Sequence, residues 1–107
     1  MSTAKKLIRQ QFRDAVFARD KHKCKCCGWS IFQDGLVLDA HHITDRKLMP
    51  NEGYVAENGI ALCPECHKKA EVFHATGTAL LNWSPIDLYQ RIGSSHELAV
   101  KASEKLK

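Results

Sequence analysis

Ile8, Phe12, Ala15 and Val16 recur at i, i+4, i+7 and i+8, the spacing that gathers side chains on one helix face. The pattern predicts an amphipathic helix from Thr3 to about Asp20, with Lys6, Arg9 and Arg13 on another face. From Lys23 to Gly28 the periodicity gives way to a cysteine-rich run that reads as a turn-like knuckle. Asp34-Gly35 is a turn signal, and Leu36-Val37-Leu38 opens a short strand running into His41 and His42. Residues 44–57 are polar and include Pro50, Asn51 and Gly53, the composition of a loop. Asn58-Gly59 marks a turn before a second short strand at Ile60-Ala61-Leu62.

Pro64 stands where a proline opens a helix, and that helix is predicted to run to about Phe73, with Gly77 interrupting it. His67 and Glu71, four residues apart, share one of its faces. Ser84-Pro85-Ile86-Asp87 combines an N-cap serine, a proline at N1 and an acid at N3, opening a helix that ends near Ile92-Gly93. Ser94-Ser95-His96-Glu97 matches a capping box and opens a last helix to about Leu106. Leu80, Leu81, Trp83, Leu88, Ile92 and Leu98 complete the core, form a dimer face or dock the module onto a larger assembly.

The length of 107 residues fits one domain, small enough for a metal staple to matter. A hydrophobic fraction of 44% excludes wholesale disorder. No apolar run approaches a membrane span and the first residues lack a signal-peptide core, so the expectation is a cytoplasmic protein with reduced thiols. Five cysteines, an odd number, suit metal ligation better than a disulfide framework. The net charge of +4 is unevenly placed. Lys5, Lys6, Arg9, Arg13, Arg19, Lys21, Lys23 and Lys25 crowd the first 27 residues against only Asp14 and Asp20, whereas acids outnumber bases between residues 28 and 58. A basic arm beside an acidic centre suits a polyanion partner meeting a cation site; the plainer reading is a solvated helix face.

Cys24-x-x-Cys27 and Cys63-x-x-Cys66 each present two sulfurs to one ion, and together they form the ligand set of a structural zinc. Cys26 is surplus to that set. Binding to such a site contributes on the order of 10 kcal/mol to folding. His41 and His42 point to opposite faces of their strand, so one can hold a metal while the other reaches a different part of the site. His67 follows a zinc cysteine directly, which pins its backbone.

In order and spacing, Cys24-x-x-Cys27-Gly28, His41-His42-Ile43, Asn58 and Cys63-x-x-Cys66-His67, led in by Arg19-Asp20-Lys21-His22-Lys23, closely resemble the HNH (His-Asn-His) endonucleases of the ββα-metal nuclease superfamily. The resemblance covers residues 13–74 and leaves 78–107 as a C-terminal helical extension of a single nuclease domain. It implies an α+β fold: a small ββα-metal core stapled by a four-cysteine zinc site, flanked by N- and C-terminal helices. It implies a metal-dependent DNA endonuclease that leaves 5′-phosphate and 3′-hydroxyl ends, using one catalytic divalent ion (Mg²⁺, Mn²⁺, Ni²⁺ or Zn²⁺). His41 would ligate that ion, His42 would be the general base, Asn58 would brace the loop that orients His42, and His67 would be the second ligand.

Many family members carry a histidine four residues after the His67 position, where this chain has Glu71; its next histidine is His74. Helical spacing favours Glu71 as the third ligand, because His74 lies two turns from His67, about 10 Å along the axis. Lys6, Arg9, Arg13, Arg46 and Lys47 are the expected contacts to DNA phosphates. The family's settings allow a place in a larger phage, restriction or repair assembly. A non-catalytic zinc module that binds nucleic acid is the alternative; it accounts for the cysteines and the basic arm but not for His41, His42, Asn58 and His67 together.

Overall fold

In the computed structural model, residues 2–28 and 38–106 are described, with side chains from residue 5 onward. Helix α1 spans Ser2–Arg19, strand β1 Asp39–His42, strand β2 Gly59–Leu62 and helix α2 Pro64–Thr76. Two helices follow, α3 at Pro85–Arg91 and α4 at His96–Glu104. The expected turn at Asp34-Gly35 and the strand opening at Leu36-Val37 lie outside the described residues. The segment read as a plain loop between the strands contains three 3-10 turns, Arg46–Leu48, Pro50–Gly53 and Ala56–Asn58.

β1 and β2 pair antiparallel, with His41 opposite Ile60 and His42 opposite Gly59. Together with α2 they make the ββα-metal core of an α+β fold, which the other helices flank. Phe12 and Val16 of α1 are buried, as the periodicity requires, while Ala15 is exposed. They pack onto Gly59, where a Cβ would lie 2.5 Å from Val16 Cγ2 and 2.7 Å from Phe12 Cε1. Glycine therefore sets how closely α1 approaches the hairpin. The end of α1 also grips β2 through polar groups. Arg19 donates to the carbonyls of Ala56 (2.7 Å) and Gly59 (2.6 Å) and pairs with Asp20 at 2.8 Å, and the Asp20 carboxylate accepts the Ala61 N–H at 2.9 Å. Asp20 is buried, and such a carboxylate is tolerated because each oxygen has a donor.

The second side of the core is closed by the C-terminal extension. Leu88, Tyr89 and Ala99 are buried, but Leu80, Leu81 and Leu98, also core candidates from the sequence, are exposed. Ser84 and Asp87 form the expected capping box of α3. The cap of α4 is Ser95, which accepts the Leu98 N–H, while Ser94 donates to the Glu57 carbonyl. The Ser94–Glu97 box is thus displaced by one residue, because Ser94 is recruited to the inter-strand segment.

Cys24, Cys27, Cys63 and Cys66 present their sulfurs within 4.8 Å of one another, and none forms a disulfide. Cys27 Sγ and Cys63 Sγ are 3.7 Å apart. Tetrahedral zinc with bonds of about 2.3 Å requires sulfurs about 3.8 Å apart, so the cluster fits that ion and is the structural zinc site. The protonation of Cys24 points the same way. Burial alone would raise the Cys24 thiol, but backbone hydrogen bonds at Cys63, Cys27 and Cys26 bring it down to about 7. Burial pushes the Cys66 thiol well up, the direction expected of a buried thiol. Cys26 stays outside the set, and burial raises its thiol to about 11.

Candidate active site

The hairpin lays His41 and His42 across α2, at a cleft of 220 Å³ lined by His41, His42, Arg46, His67, Glu71 and His74. Alternation along β1 sends the two adjacent histidines to different surroundings. His41 turns towards α2. Its ring lies midway along the helix face, 5.2 Å from the His67 ring and 5.1 Å from the His74 ring. The turn between them carries Glu71, whose Oε1 is 3.4 Å from His41 Nδ1.

His41, Glu71 and His74 bring ligand atoms within 4.8 Å of one another. The choice framed from the sequence was Glu71 or His74, measured from His67. Measured from His41, which spans the middle turn, both are in reach, and His67 is the histidine left outside the set of three. His67 instead stands between two carboxylates, with Nδ1 3.0 Å from Asp39 and Nε2 3.1 Å from Glu71.

The cluster suits a divalent cation. Burial, followed by the charges of His67 and His74, holds His41 down at about 3, so at neutral pH its approach to Glu71 is not an ion pair. His41 Nδ1 is buried with no hydrogen-bond partner among the described residues, as an atom reserved for a metal would be. His74 donates through Nε2 to the His42 carbonyl at 2.9 Å, so in the neutral ring Nδ1 carries the lone pair. The site is therefore a His-Glu-His group separate from the four-cysteine site and consistent with a catalytic divalent ion. We expect Glu71→Gln and His74→Ala each to weaken binding of that ion at least roughly tenfold, with zinc in the cysteine site unchanged. Titration calorimetry with Mn²⁺ decides it: loss only in His67→Ala would remove His74 from the set.

His42 faces the other way, into aromatic rings. Phe12 stacks on it at 4.6 Å and Tyr54 meets it edge-on at 4.7 Å. Burial, and next the Arg46 charge, lower His42 to about 4, so it is neutral at pH 7. Its Nε2 has no hydrogen-bond partner among the described residues.

The segment after His42 is braced by Asn58, which is fully buried. Asn58 Oδ1 accepts from Thr44 N (3.0 Å) and Tyr89 OH (2.8 Å), and Nδ2 donates to the carbonyls of Thr44 (3.1 Å) and Gly53 (3.2 Å). Gly53 has φ +65°, and a Cβ there would be 2.8 Å from Asn58 Nδ2, so this close approach needs glycine.

Of the expected phosphate contacts, Arg46 lines the cleft and both Arg46 and Arg9 reach the Tyr54 hydroxyl. Arg13 lies over the Phe17 ring at 5.1 Å, and Lys6 and Lys47 are exposed. Phe12, Tyr54 and Tyr89 were not recognised from the sequence as site residues. Tyr54 had one available signal, an aromatic side chain within a polar segment.

A two-stranded hairpin and helix, a four-cysteine staple and a second ligand cluster define a zinc-stapled ββα-metal protein. Residues 24–73 match the family model described as HNH endonuclease, and the hairpin, helix and four-cysteine cluster are similar to that family's fold. No match was found among the curated proteins or the solved structures.

Proposed function

We propose that the chain is a metal-dependent DNA endonuclease that hydrolyses phosphodiester bonds to 5′-phosphate and 3′-hydroxyl ends. The observation that carries this reading is one cleft in which a neutral His42, its Nε2 without a hydrogen-bond partner among the described residues, adjoins the His41–Glu71–His74 cluster. Proteins of this family generally bind the DNA backbone, and the basic residues of α1 beside the cleft support the same partner here.

His42 takes a proton from the water that attacks phosphorus. Phe12 and Tyr54 hold its ring against tilting, and Asn58 fixes the backbone that follows it. His41, Glu71 and His74 would hold the divalent ion, and His67 would steady the Glu71 carboxylate. When bound, the ion would supply Lewis-acid stabilisation of the negative charge on the phosphoryl and leaving oxygens, and the departing 3′ oxygen takes its proton from solvent. Arg46, which lines the cleft and is exposed, meets the phosphate.

The experiment is nicking of supercoiled plasmid by zinc-loaded protein, with Mg²⁺, Mn²⁺ or Ni²⁺ added and then removed by chelator. Cleavage should appear with added metal and cease without it. Affinity for DNA should fall steeply with salt, by roughly 0.9 log units per log unit of salt for each phosphate neutralised. Salt-dependent DNA binding without cleavage under any of these metals would turn the assignment to a non-catalytic nucleic-acid module.

A further inference from the structure

Arg9 and Phe12 lie one turn apart on α1 and both reach the active-site wall. Phe12 supports the His42 ring, and Arg9 Nε donates to the Tyr54 hydroxyl at 3.3 Å. Arg46 Nη1, from the same inter-strand segment as Tyr54, donates to that oxygen at 2.9 Å. Two guanidiniums from separate parts of the chain therefore converge on one neutral oxygen, at the rim of the cleft that contains His42.

The two like charges sit at an exposed rim where solvent screens them, and the Tyr54 hydroxyl, followed by the charges of Glu52 and Asp45, favours the charged Arg46. Neither guanidinium forms an ion pair among the described residues; Glu52, the acid of the adjoining turn, is bound to Lys5 at 3.1 Å. With both lone pairs of the hydroxyl facing guanidiniums, its proton is directed away from them, and no acceptor takes it among the described residues. The group offers donors on two arms, and Glu52 and Asp45, whose charges reach Arg46, form no ion pair with either guanidinium among the described residues. The aromatic ring beneath is fixed edge-on to both His42 (4.7 Å) and Phe12 (5.6 Å), so the oxygen has a defined place relative to the base.

We propose that Tyr54 is a positioning residue that joins Arg46 and Arg9 into one clamp for adjacent phosphates of a nucleic-acid strand, Arg46 on the phosphate in the cleft and Arg9 on its neighbour. The proposal rests on reading the cleft as a phosphodiester site. It gives α1 a defined part in aligning the strand, beyond general charge attraction, and assigns a role to a tyrosine that the family motif does not contain.

The test is a double-mutant cycle on binding of a short DNA duplex at low salt with no catalytic metal added, so that it does not depend on cleavage. Tyr54→Phe removes only the hydroxyl and keeps the ring against His42 and Phe12. We expect Tyr54→Phe to weaken binding about fivefold, and Arg46→Ala about tenfold in the parent chain but less than about threefold in the Tyr54→Phe background, because contacting groups are not additive. Arg9→Gln should show the same attenuation. Zinc content and Tm, measured for every variant, confine the comparison to folded protein. Additive losses, or unchanged binding by Tyr54→Phe, overturn the clamp. Attenuated losses in a chain that nicks no DNA under any metal would sustain the clamp while sinking the nuclease assignment.

Discussion

Cys63→Ser should leave the protein without its tightly bound zinc and unfold it at room temperature. The reason is the size of the term removed. Zinc binding to a set of four cysteines contributes on the order of 10 kcal/mol, comparable with the whole stability of a small domain, roughly 5–15 kcal/mol. The substitution isolates the metal from the other role of this residue. Cys63 is also the N-cap of α2, its sulfur accepting the Cys66 N–H, and serine is a better cap than cysteine. What is lost is therefore ligation. The zinc site also joins the knuckle at Cys24–Cys27 to the start of α2, so its loss should loosen the face that carries His67, Glu71 and His74. Cys26→Ser is the contrast: a half-buried thiol outside the ligand set, expected to retain zinc and change stability by no more than about 1 kcal/mol. Metal content after mild chelation and thermal melts of both variants check this. Stoichiometric zinc and an unchanged Tm in Cys63→Ser would sink the assignment.

The elements were legible where their signals are contiguous. Phe12 and Val16 announced the buried face of α1, Pro64 the start of α2, and Ser84 with Asp87 the cap of α3. The ligand types were legible for the same reason, since each C-x-x-C is a local pattern. What could not be read is how separate stretches meet. Helical spacing says that His67, Glu71 and His74 share a face, but not which turn β1 crosses; the crossing at Glu71 is what pairs His41 with His74. Tyr89 donates to Asn58 from 31 residues away, and only the docking of the C-terminal extension brings them together. The Asn51 side chain donates to the carbonyls of Ser103 and Leu106 at the end of α4, both at 2.9 Å. The last third of the chain, read from the sequence as core filler or a dimer face, thus braces the segment that carries Asn58. Ser94 shows the opposite failure, a local match to a cap overridden by a tertiary hydrogen bond to Glu57.

His42→Ala should lower nicking roughly 10³-fold, within the range associated with loss of a general base, while zinc content and divalent-ion affinity stay at parental values. The separation follows from the alternation along β1. His41 turns to Glu71 and His74, and His42 turns to Phe12 and Tyr54, so the base leaves without disturbing either metal set. A neutral ring at pH 7 is a requirement of the role, and burial followed by the Arg46 charge supplies it. Asn58→Ala should behave differently. It removes a fully buried side chain that satisfies Thr44, Gly53 and Tyr89, so activity and Tm should fall together, with activity lost less completely than in His42→Ala. Comparing initial nicking rates with Tm and Mn²⁺ affinity for the two variants distinguishes a base from a brace. Parental activity of His42→Ala at neutral pH, or loss of Mn²⁺ binding in that variant, would remove His42 from the role of base.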